Sequence, residues 1–181
     1  QPRVVAGDVA REITERDIRP EGIAWDPSAR AFYLGDALRR GIMMAPLDGD
    51  VRPFAVPGPG DMFAPLGMRV DPATGTLWVA SVAMPLMHGF TAEDAGHARL
   101  VAVDLKTGAA RVSLSLGDKA APSLLNDVAT LPGGRVVVTD SQRGALWIAD
   151  LTATALRPLA PADSFESPNG IAATDDGATV Y

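Results

Sequence analysis

At 181 residues, with 47% hydrophobic and 21% charged residues, the chain has the make-up of one globular domain, not of a disordered tail, a coiled coil or a collagen-like rod. A net charge of −6 argues against nucleic acid as a partner, and there is no apolar run of the roughly 18 residues that a membrane helix needs. With no cysteine and two histidines, disulfides, thiolate zinc sites, cysteine nucleophiles and three-histidine metal sites are excluded, so a metal would have to be held by oxygen.

In chain order, the first predicted elements are two short strands, Arg3–Ala6 and Val9–Thr14. No charged-then-apolar leader precedes them, and a cleaved mature chain would look the same, so the compartment stays open. A phrase then begins that recurs four times: Glu21-Gly22-Ile23-Ala24-Trp25-Asp26-Pro27, Leu66-Gly67-Met68-Arg69-Val70-Asp71-Pro72, Asn126-Asp127-Val128-Ala129-Thr130-Leu131-Pro132 and Asn169-Gly170-Ile171-Ala172-Ala173-Thr174-Asp175. Each phrase reads as a strand, and each is followed by a tight turn rich in Pro, Gly or Asp. Second strands are predicted over Ala31–Asp36, Thr76–Val82, Arg135–Ser141 and Ala178–Tyr181. Third strands follow at Ile42–Leu47, Leu100–Leu105 and Leu146–Leu151, and fourth strands at Val51–Val56, Ala110–Leu116 and Ala155–Leu159. Thr91–Ala98 is the nearest approach to a helix, and its pattern is weak.

Four antiparallel strands in a repeat of about 40–45 residues is the period of a β-propeller blade. The expected organisation is a single all-β propeller domain over 1–181. It has N-terminal strands in 3–14, blade one at 20–56, blade two at 66–116, blade three at 126–160 and the start of blade four at 169–181. The stop within the fourth repeat favours a chain that lacks its final blades over a closed four-blade ring.

In a propeller the first strand of each blade lines the central channel, so equivalent positions converge. The residue that opens each phrase is Glu21, Leu66, Asn126 or Asn169. Taken singly, Glu21 is a loop acid and the asparagines are turn residues. Taken together, one carboxylate and two carboxamides form an oxygen donor set suited to calcium or another hard divalent ion. A structural requirement shared by all blades would not accept Leu66 at the same position. The same face carries the insertion Ala83–Ala98, with His88 and His97, expected as a lid over the channel mouth. It also carries the Pro57–Pro65 loop and Ser141-Gln142-Arg143. Asp127 is a candidate acid–base or an orienting group, His88 a second proton-transfer candidate, and Arg143 a candidate for binding a substrate carboxylate or hydroxyls.

Pro20-Glu21-Gly22, Leu125-Asn126-Asp127-Val128, Leu131-Pro132-Gly133-Gly134-Arg135, Val138-Thr139-Asp140-Ser141 and Pro168-Asn169-Gly170-Ile171 together resemble the gluconolactonase/regucalcin (senescence marker protein) family. Paraoxonases and strictosidine-synthase-like proteins share that architecture more distantly. The resemblance covers roughly residues 17–181. It implies a six-bladed propeller with a catalytic divalent metal, calcium first, with zinc, magnesium and manganese also admitted. It matches Glu21 and Asn169 to metal ligands, and Asn126 to a position that binds metal in some members and substrate in others. The family's later aspartate ligand has no counterpart in this chain.

The implied reaction is hydrolysis of a lactone of sugar-acid type by water attack on a metal-polarised carbonyl, with no obligate protein partner. The alternatives are a non-catalytic propeller binding module and a strictosidine-synthase-like enzyme.

Overall fold

The computed structural model describes residues 7–55 and 62–181. Among these residues there are twelve strands and no helix. The first sheet holds β1 (Pro20–Asp26), β2 (Ala31–Asp36), β3 (Gly41–Pro46) and β4 (Arg52–Ala55). The second holds β5 (Ala64–Asp71), β6 (Thr76–Val82), β7 (Ala98–Asp104) and β8 (Ala110–Leu116). The third holds β9 (Leu125–Leu131), β10 (Arg135–Asp140), β11 (Ala145–Ala149) and β12 (Arg157–Ala160). Each sheet is an antiparallel meander in chain order. The first strands are neighbours across sheets: β1 packs beside β5, and β5 beside β9. This is the arrangement of β-propeller blades, with the first strand of each innermost.

The pattern of each sheet follows from where it sits. Every residue of β6, Thr76-Leu77-Trp78-Val79-Ala80-Ser81-Val82, is buried, because both faces of blade two are covered. Successive side chains point to opposite faces. Leu77 and Val79 therefore join Ala24, Tyr33, Val101 and Val103 in the core between blades one and two. Trp78 and Ala80 join Leu100, Leu125, Val136 and Val138 between blades two and three. In β1 the alternation shows one covered face only: Ala24 is buried, whereas Ile23 and Trp25 are 60% and 40% exposed.

Turn chemistry sets the strand ends. Asp26 accepts from the Ser28 and Ala29 N–H groups at 2.8 and 3.2 Å, closing the β1–β2 turn. The last turn residue is left-handed in each blade: Arg30 (φ 48°), Gly75 (φ 63°) and Gly134 (φ 72°). At the other end, buried Asp36 accepts from Arg19, Leu38 and Arg39 N–H, and buried Asp140 from Leu124, Gln142 and Arg143 N–H. Blade two has Val82 there instead, and the Ser81 hydroxyl accepts from Phe63 N–H at 3.4 Å.

Several expected elements differ. Arg3–Ala6, Val56 and residues 57–61 of the Pro57–Pro65 loop lie outside the described residues. Val9–Thr14 is not a strand: Val9 is 81% exposed, and its alternating pattern has no apolar surface to cover. The expected opening strands of blade four are reduced to a two-stranded hairpin. It has one bridge, Ala173 to Val180, with mutual bonds between Ala172 and Tyr181 at 2.8 and 3.1 Å. Two strands alone hold little regular ladder. Thr91–Ala98 is a series of turns that runs into β7, because Asp94 turns back to accept from Thr91 N–H and Oγ1.

Candidate functional site

The inner strands approach each other so closely at one level that a side chain cannot fit between them. A Cβ at Gly22 would overlap the Leu66 carbonyl oxygen, and one at Gly67 would lie 2.5 Å from the Asn126 carbonyl oxygen. These glycines directly follow Glu21 and Leu66. Narrowing there brings the preceding side chains around a common cavity of 280 Å³. Its polar lining is Glu21, Asn126, Asp127 and Asn169, and Leu66, Met68 and Ile23 supply an apolar wall. The chain has two asparagines, and both line this cavity.

Glu21 and Asn169 are exposed, and Asn126 is half-buried. Asn126 Nδ2 donates to Ser141 Oγ at 2.9 Å, which leaves the carbonyl Oδ1 as the atom this side chain can offer elsewhere. Asn169 lies in the segment leading to the terminal hairpin, and three bonds pin that segment to blade three. Ser141 Oγ donates to Pro168 O at 2.5 Å, Thr139 Oγ1 donates to Asn169 O at 2.8 Å, and Asp127 Oδ2 accepts from Ile171 N–H at 3.0 Å. Thr139 Oγ1 in turn accepts from Asp127 N–H at 3.0 Å.

The remaining candidates fall elsewhere. Both oxygens of Asp127 accept backbone N–H groups, from Val128 and Ile171, so the residue ties the hairpin to β9 while lining the cavity. His88 is exposed and does not line the cavity; its backbone N–H donates to Leu38 O at 2.8 Å. His97 N–H bonds within the insertion to Asp94 O, and its ring lies close enough to Asp118 to help lower that carboxyl, after the Ala121 and Ala120 N–H groups. Arg143 does not line the cavity either. Its Nε donates to Pro122 O at 3.2 Å, its Nη2 to Ala121 O, and its guanidinium stands 6.0 Å from the Trp147 ring. These contacts brace the loop before β9.

The insertion is anchored by buried Met87, which packs with Ala37, Phe63 and Ala64. Its exposed Leu86 borders a second depression, of 450 Å³, which it shares with Glu21, Arg19, Pro20, Ala37 and Leu38. Glu21 thus stands between the two hollows. Met62 and Phe63, at the end of the Pro57–Pro65 loop, are buried.

Sequence reading did not single out Thr139 and Ser141 as anchors. Their signal was present: residues two apart at the end of a strand point to one side, and both are short hydroxyl side chains. Among the described residues no group of three His, Asp or Glu stands together as a metal cluster, so the oxygen set depends on its carboxamides. Glu21, with its negative charge, and Asn126, with its oxygen turned away from the bond to Ser141, are the groups that could hold a hard ion.

No protein-family model and no curated protein matches the chain. Solved structures do. A chain of a nidogen/laminin complex matches with a TM-score of 0.66 and 18% identity, over 92% of this chain and 56% of that one. A catalytically inactive virginiamycin B lyase from Staphylococcus aureus with quinupristin matches with a TM-score of 0.65 and 14% identity, over 93% of this chain and 50% of that one. Kuenenia stuttgartiensis hydrazine synthase matches with a TM-score of 0.66 and 16% identity, over 96% and 44%. The chain has the β-propeller fold. It spans about half the length of the solved structures it matches. At 14–18% identity, these matches show the architecture alone.

Proposed function

We propose that the chain carries the ion-holding site of a lactone hydrolase of gluconolactonase/regucalcin type. The observation that supports this most is the single cavity lined by Glu21, Asn126 and Asn169, which come from three successive repeats. In this reading Glu21 supplies the charge that attracts a divalent cation, calcium first, and Asn126 and Asn169 supply neutral oxygens. A bound divalent ion would polarise the lactone carbonyl and stabilise the charge that develops there.

The chain's own residues have the remaining tasks. Leu66, Met68 and Ile23 form an apolar wall along one side of the cavity. We assign the general-base role to Asp127 and not to His88, because Asp127 lines the cavity and His88 does not. Water adds to the carbonyl carbon as its proton passes to the base. The ring C–O bond then breaks, and the leaving oxygen takes a proton. Arg143 has no substrate role in this reading, because its guanidinium braces the loop before β9.

The test is acid release from gluconolactone followed at constant pH. The expected result is calcium-dependent opening that Glu21→Gln abolishes. A rate equal to the uncatalysed one at saturating calcium, or unchanged activity in Glu21→Gln, would overturn the proposal. The second reading, a binding module without catalysis, is favoured by the match to a chain of a nidogen/laminin complex, which is as good as those to the enzymes. Calcium binding without lactone opening is the outcome that selects it.

A further inference from the structure

We propose that Ser141 is a positioning residue of the cavity, which fixes the Asn126 amide so that Oδ1 is the atom turned away from the strand and toward the ion. The functional consequence rests on the ion-site reading above; the geometry does not.

Ser141 Oγ carries a single hydrogen and lies 2.5 Å from the Pro168 carbonyl oxygen, which can only accept. That hydrogen is therefore committed to Pro168, and toward its other neighbours Ser141 Oγ can only accept. The Asn126 side-chain atom 2.9 Å away must then be the nitrogen. The two ends of an asparagine amide have nearly the same shape, so its direction is fixed by the hydrogen bonds around it. Here the direction is set from the far end, running Asn126 N–H to Ser141 O–H to Pro168 C=O.

A parallel chain lies beside it. Thr139 Oγ1 takes the Asp127 N–H at 3.0 Å and gives its hydrogen to Asn169 O at 2.8 Å. Two hydroxyls at alternate positions thus each join a residue of β9 to successive carbonyls of the 168–169 segment. Ser141 orients one proposed ligand and holds the segment that carries the other. Orienting groups of this kind typically change metal affinity by about 10–100-fold.

The test uses ¹⁵N-labelled, calcium-free protein, in which Asn126 and Asn169 give the only asparagine side-chain amide signals. The expected result is slow hydrogen exchange for the Asn126 amide compared with that of Asn169. That protection should be lost in Ser141→Ala and kept in Ser141→Thr. Equal exchange of the two amides, or no change in Ser141→Ala, would overturn the proposal.

A calcium titration gives the second readout. Ser141→Ala should weaken binding about 10–100-fold, but only slightly in an Asn126→Asp background, where both terminal atoms are oxygen. An equal loss in both backgrounds would mean that Ser141 acts only through the 168–169 segment, which overturns the positioning role. Protected Asn126 signals in a protein that binds no calcium would support the hydrogen-bond chain while overturning the ion-site reading.

Discussion

Gly22 and Gly67 hold the inner strands together by having no side chain, and each follows a residue that faces the cavity. The freedom they provide is room, not an unusual backbone angle. Gly22→Ala should cost about 3 kcal/mol, the upper range for overpacking, because the Leu66 carbonyl cannot retreat without moving β5. Chemical denaturation measures this, and a loss below about 1 kcal/mol would contradict the close approach. Blade three places Asp127 where the first two blades place glycine, and the carboxylate reaches across to Ile171 N–H. Asp127→Ala should therefore cost about 2 kcal/mol, as for a hydrogen bond to a charged group, and should raise amide exchange at Ile171 selectively. Unchanged exchange there would contradict the anchor. If Asp127 were a base without a structural role, its removal would abolish activity and leave the hairpin protected.

At the scale of elements, the repeated phrase was legible because each inner strand has the same two duties: one face buries small or branched residues, and one end enters the channel. Blade two reads as nearly unbroken apolar runs for a matching reason, since β6 is covered on both sides. Elements that lack a neighbour depart from the pattern their sequence suggests. Val9–Thr14 has strand-like alternation but no sheet to bury it, and the terminal repeat keeps the phrase but closes only one bridge. Cavity-lining residues were legible where repeat position decided them, as for Glu21, Asn126 and Asn169. They were not where side-chain reach decided them: Arg143 is close to the cavity in sequence terms, yet its guanidinium turns to the Ala121 and Pro122 carbonyls.

The β7–β8 turn gives a pH prediction at the same scale. Asp104 accepts from Lys106 N–H at 2.8 Å, from Thr107 N–H at 3.0 Å and from the Arg111 guanidinium. These donors, Lys106 N–H first, hold its carboxyl down at about 2. A carboxyl lowered by folding adds stability that is complete above its ordinary value near 4 and lost as pH falls toward 2. Melting temperature should thus fall less steeply between about pH 4 and pH 2 in Asp104→Asn than in the parent. Parallel curves would contradict the assignment.

For the whole molecule, blade two is the keystone, because Leu77 and Val79 pack toward blade one while Trp78 and Ala80 pack toward blade three. The cavity is lined from the inner strands of all three blades, and the 168–171 segment is moored to the third. Glu21, Asn126 and Asn169 are far apart in sequence, and in the ion-site reading a shared ligand couples all three. Calorimetric titration of calcium into the parent and into Glu21→Gln, Asn126→Ala and Asn169→Ala tests that coupling most directly. The expected result is one ion per chain and a loss of about tenfold or more in each variant. Absence of binding in the parent, or equal affinity in all four proteins, would contradict it.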